Sequence, residues 1–80
     1  MLKEYEVVHE ILNECARNQM RDVFIEEIAI PEGAFEDYIR NRHKDKAIKM
    51  ECEELPDGNI RYTVDTSGIV QKYTFSELPN

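Results

Sequence analysis

The fold turns on Leu2-Lys3-Glu4-Tyr5-Glu6-Val7-Val8-His9-Glu10-Ile11-Leu12-Asn13-Glu14-Cys15-Ala16-Arg17-Asn18-Gln19. Val8, Ile11, Leu12 and Cys15 recur at spacings of three and four, the period of a helical stripe, and Tyr5 and Val7 widen it. Glu6, Glu10, Asn13 and Arg17 fall on the opposite side, with His9 on the border. Glu4 near the start and Arg17 near the end suit the helix dipole, whereas Lys3 does not. Asn18 is a stop signal. The spacing predicts an amphipathic helix over residues 2–19.

Downstream, residues 22–30 are short and β-branched and predict a strand. Val23 and Ile25 lie on one parity, Ile28 and Ile30 on the other, so a bulge at Glu26-Glu27 is expected. The rival reading continues the first helix to about Ile28. Pro31-Glu32-Gly33 ends this element, and Phe35, Tyr38 and Ile39 stripe a second helix over roughly 33–42. Its acids, Glu36 and Asp37, lie near the start, and Arg40 and Arg42 near the end, as the dipole favours.

From residue 46 the period becomes two. Ile48, Met50 and Cys52 alternate with Lys49, Glu51 and Glu53. Pro56-Asp57-Gly58 forms a type I turn closed by a left-handed glycine. That turn sets Cys52 opposite Tyr62 and Met50 opposite Val64, with Glu53 facing Arg61 and Lys49 facing Asp65 on the other side. A last strand over about 69–75 places Gln71, Tyr73 and Phe75 on the core parity. Two loops at Asp65-Thr66-Ser67-Gly68 suit it: one puts Tyr62 opposite Tyr73, the other Val64 opposite Ile69. The expected fold is a single α+β domain over residues 1–80, in the order α-β-α-β-β-β. Its antiparallel sheet has a C-terminal three-stranded meander, and both helices pack on one face.

Charge is segregated along the chain. The net charge is −7, yet residues 40–50 hold five positive charges and one negative. The acidic balance disfavours nucleic acid and anionic membranes. No stretch is long and apolar enough to span a bilayer, and the acidic N-terminal residues do not resemble a secretory signal. The expected location is therefore the cytoplasm. Two cysteines are too few for a disulfide framework.

Signatures of chemistry are sparse. His9-Glu10 does not extend to His-Glu-x-x-His, because Asn13 stands where the second histidine belongs. His9, Cys15, His43 and Cys52 are metal-ligand types without close pairing, and Cys15 and Cys52 read as small buried apolar residues. A nucleophilic pair of Cys52 with His9 would need the two to meet between helix and sheet. Glu26, Glu27, Glu32, Glu36 and Asp37 lack the spacing of a calcium loop. Gly33, Gly58 and Gly68 are isolated, so no phosphate loop forms. No catalytic residue, cofactor or metal is expected.

These observations favour a protein-interaction or regulatory module whose partner is another protein or a second copy of the chain. Arg40, Arg42, His43, Lys44 and Lys46 are the candidate contacts. One alternative is a nucleic-acid or phosphate binder using residues 40–49. Another is a small-molecule or metal site near His9, Cys15 and Cys52.

Overall fold

The computed structural model describes residues 1–15, 18–44, 47–66 and 69–78, with the side chains of residues 13–21 left out of the description. The elements run β1 (Leu2–Cys15), β2 (Asn18–Pro31), α1 (Phe35–Arg42), β3 (Lys49–Glu54), β4 (Ile60–Thr66) and β5 (Ile69–Glu77). They build one five-stranded sheet in the order β2-β1-β5-β4-β3, with every neighbouring pair antiparallel.

The expected first helix is absent. Residues 2–15 are a strand, and they pair with residues 18–31 one to one, from Leu2 opposite Pro31 to Cys15 opposite Asn18. The α+β arrangement with two helices and a meander after them is therefore wrong. The protein is an antiparallel sheet carrying one short helix. The physical reason lies in Glu4-Tyr5-Glu6-Val7-Val8-His9-Glu10. Tyr5, Val7 and His9 alternate with Glu4, Glu6 and Glu10, and it is those three that become buried. The period-two signal there outweighs the three-four spacing of Val8, Ile11, Leu12 and Cys15. A helix in a protein draws most of its stability from packing an amphipathic face, whereas as a strand β1 has a partner on each side, β2 and β5.

The bulge expected at Glu26-Glu27 is also absent. Glu6 faces Glu27 and Val7 faces Glu26 without interruption. The parity break of β2 is resolved by exposure instead. Ile28 and Ile30 pack against the core, while Val23, Phe24 and Ile25 stand on an edge strand at 46%, 50% and 66% exposure.

Helix α1 begins two residues after Gly33, whose φ of +78° turns the chain out of β2 at little cost. It lays Phe35 and Ile39 onto the sheet. There they join Tyr5, Val7, Val64, Tyr73 and Phe75 in the core. Complete burial of Ile39, Val7 and Val64 contributes about 1.5–3 kcal/mol each, an upper bound given residual structure in the unfolded chain. Phe35 packs against Tyr5 at 4.9 Å and Phe75 at 4.4 Å between ring centroids.

The β3–β4 hairpin keeps the register read from its turn. Met50 faces Val64, Cys52 faces Tyr62, Glu53 faces Arg61 and Lys49 faces Asp65. Gly58 has φ +87°, and Leu55 N–H donates to Asn59 O at 2.9 Å, closing the loop. The Nε of Arg61 is buried without a hydrogen-bond partner, so the expected Glu53 contact does not run through that atom. Between β4 and β5, Tyr62 faces Tyr73, the first of the two registers considered. The loop itself, residues 67 and 68, lies outside the described residues.

Candidate interaction surface

Strand β2 is an edge strand fourteen residues long. Only β1 pairs with it among the described residues, so one row of its backbone N–H and C=O groups has no strand beyond it. Natural edges of this length are blunted by charge, proline or a bulge. Here the middle of the edge is Val23-Phe24-Ile25, apolar on both faces and close to half exposed or more. Asp22 lies before that segment and Glu26-Glu27 after it.

The C-terminal end of α1 reaches the same strand. Arg42 Nη1 donates to Glu26 Oε2 at 2.9 Å and to the Tyr38 hydroxyl at 2.8 Å, and its guanidinium lies 5.7 Å from the centre of the Tyr38 ring. Burial pulls the Arg42 pKa down, but the bonds to Tyr38 and Glu26 outweigh it and the net shift is upward. Two residues earlier, Arg40 is held by Glu36 through two bonds of 3.1 and 3.0 Å. His43 Nε2 lies 2.8 Å from the Tyr73 hydroxyl. Lys44 is exposed, and Lys46 lies outside the described residues. Of the five candidate contacts, then, Arg42 and His43 converge on the sheet, and Arg40 is tied within its own helix.

Beneath Arg42 a row of side chains crosses the sheet. The pairings set Phe24, His9, Tyr73, Tyr62 and Cys52 side by side on β2, β1, β5, β4 and β3. His9 is 7% exposed and stacks on Tyr73. Its Nε2 lies 2.7 Å from Gln71 Oε1, and the Tyr73 hydroxyl donates to the same oxygen at 3.4 Å. Burial holds the His9 pKa below its ordinary 6.5, against the Gln71 hydrogen bond, which raises it. Burial likewise pushes Tyr73 up to about 12. Tyr62 rises to about 12 through burial and then its bond to Cys52.

This geometry separates the groups proposed for a metal or nucleophile site. His9 and Cys52 share a face and a row, but two strands stand between theirs, which sets them ~14 Å apart. Position 15 is six residues along β1 from His9, ~20 Å in an extended chain. The Cys15 side chain lies outside the described ones. Cys52 is exposed on edge strand β3, not buried as expected. No cluster of three or more His, Cys, Asp or Glu suited to a metal occurs among the described residues.

The sequence signal for the edge was available but unread. Successive strand residues point to opposite faces, so with a helix on one face only, Val23-Phe24-Ile25 sets at least one apolar side chain on the uncovered face. No family model, curated protein or solved structure matches this chain. No helix among the described residues is long and apolar enough to cross a membrane.

Proposed function

We propose that the protein is a binding module that acts by accepting an extended protein segment on the free edge of β2. The observation that carries this reading is the apolar Val23-Phe24-Ile25 segment at the centre of a fourteen-residue edge. Strand addition draws affinity from main-chain hydrogen bonds and selectivity from alternate side chains. The edge supplies both. A nucleic-acid or phosphate role for residues 40–49 has less support, because Arg40 and Arg42 already hold Glu36 and Glu26.

The test is selection of random ten-residue peptides displayed against the immobilised chain, followed by NMR titration. Enriched peptides should carry alternating apolar residues. They should shift the amides of residues 22–30 and lose at least tenfold in affinity against Phe24→Lys. Peptides that instead shift the amides of α1 or β3 would overturn the proposal.

A further inference from the structure

The occupant of the β2 edge can be read from its own sequence. We infer that it is a second copy of the chain, paired antiparallel about a two-fold axis that sets Phe24 opposite its own copy. This rests on β2 being the docking strand and goes further in naming the partner.

The constraint is geometric. A two-fold axis that joins two antiparallel edges must stand perpendicular to the sheet, so each face continues across the seam. Residues opposite one another then share a parity, and the axis passes midway between the two copies of a single residue. For a seam centred on residues 22 to 26, where the apolar segment lies, five registers remain, and they differ sharply. An axis at Asp22 or Glu26 sets a carboxylate against its own copy. An axis at Ile25 faces Phe24 with Glu26 and Val23 with Glu27. An axis at Val23 faces Asp22 with Phe24.

The axis at Phe24 sorts the edge correctly. Phe24 meets Phe24 of the second copy, and Val23 meets Ile25 twice. Position 20, a methionine, stands opposite Ile28. Position 21, an arginine, stands opposite Glu27. The apolar cross-strand pairs among residues 23, 24 and 25 are the favourable kind. One like-charge pair remains, Asp22 with Glu26. Glu26, however, is already bonded to Arg42 at 2.9 Å, so Asp22 of the second copy meets an ion pair rather than a bare carboxylate. The result is a continuous ten-stranded sheet with both copies of α1 on one side.

The electrostatics give this partner a distinctive signature. Each copy carries a net charge of −7. Salt screens that repulsion, so dimerisation should strengthen from about 50 to about 500 mM salt. A basic peptide on the same edge would show the opposite trend.

The experiment has two parts. Sedimentation of the full chain from about 5 to 500 µM covers the range expected of a small interface. It should show a monomer–dimer equilibrium that shifts to dimer with salt and to monomer in Phe24→Lys. Single cysteines are then placed in a Cys15→Ser/Cys52→Ser background and oxidised. Phe24→Cys should cross-link within the dimer. Ile25→Cys should not, because the axis leaves its two copies about 8 Å apart, beyond disulfide reach. A dimer that cross-links at Ile25 or Val23 instead overturns the register. A chain that stays monomeric yet still binds selected peptides at residues 22–30 overturns the second copy and leaves the docking strand standing. A monomer that binds no such peptide overturns both.

Discussion

The imidazole of His9 lies flat on the phenol ring of Tyr73, with centroids 4.2 Å apart and planes 11° apart. A strand residue from one end of the chain thus rests on a strand residue from the other. The pair anchors β1 to β5 on the face beneath α1. Because the imidazole is buried, it is held neutral there.

That neutrality makes stability depend on pH. The folded pKa of His9 is depressed, so below about 6.5 the unfolded chain takes up a proton that the folded chain resists. His9 should therefore cost no stability above that pH and progressively more as pH falls below it. Urea unfolding at several pH values should show this slope. His9→Phe keeps a ring for Tyr73 and should flatten it. An unchanged slope in that variant would exclude His9 as the source.

At the alkaline end the tyrosines dominate. Tyr62 and Tyr73 both have pKa values raised to about 12, chiefly by burial. Their folded values exceed the ordinary 10, so the stability they contribute is complete below pH 10 and fades as pH rises through 12. Tyrosinate absorbance should show both titrating late, and together with loss of β circular dichroism. In Tyr73→Phe the late amplitude should shrink. That variant should also lose about 1 kcal/mol as the hydroxyl's bonds to His43 and Gln71 go.

Helix α1 is attached through few side chains. Ile39 is fully buried and Phe35 nearly so. Ile39→Ala should cost about 2–5 kcal/mol, a large share of the stability of a domain this small. Thermal unfolding should show a large drop in midpoint. A drop of less than about 4 °C, which corresponds to under about 1 kcal/mol in a domain of this size, would mean that the helix is dispensable.

Gly58 tests the β3–β4 turn. Its φ of +87° is a conformation that L residues resist, although no heavy atom crowds the place a Cβ would take. Gly58→Ala should therefore cost about 1–2 kcal/mol from the backbone alone. Gly58→Asn, which tolerates that region better, should recover part of it.

The Arg42–Glu26 bridge is half exposed, at 36% and 47%. A double-mutant cycle with Arg42→Ala and Glu26→Ala should return a coupling of about 0.2–1 kcal/mol, smaller at high salt. A larger value would mean that the Tyr38 hydroxyl acts with the pair as one network.

What was legible in the sequence follows from how local its cause is. Pro56-Asp57-Gly58 dictates its own turn, and with it the pairing of Cys52 to Tyr62 and Met50 to Val64. Phe35, Tyr38 and Ile39 likewise announce a helix within a single turn or two. Residues 2–15 carry both periods at once, and the choice between them is made by strands far along the chain. Tyr5, Val7 and His9 become core only because Phe75 and Tyr73 arrive beside them. The seam at Arg42 and His43 was marked by charge, but its targets, Glu26 and Tyr73, depend on which strands neighbour β1. A helical period over residues 2–19 hides those neighbours.

The placement of β1 between β2 and β5 also governs how the molecule is made. Leu12 pairs with Val70 and Tyr5 with Glu77, separations of 58 and 72 residues. On a ribosome the first hairpin emerges early, yet its inner strand must wait for the last one before the buried faces of Tyr5 and Val7 are covered. Such distant pairings fold slowly. In the interval both edges of that hairpin are open to other nascent chains. Refolding of the full chain should accordingly be limited by the docking of β5 on β1 and not by closure of the first hairpin.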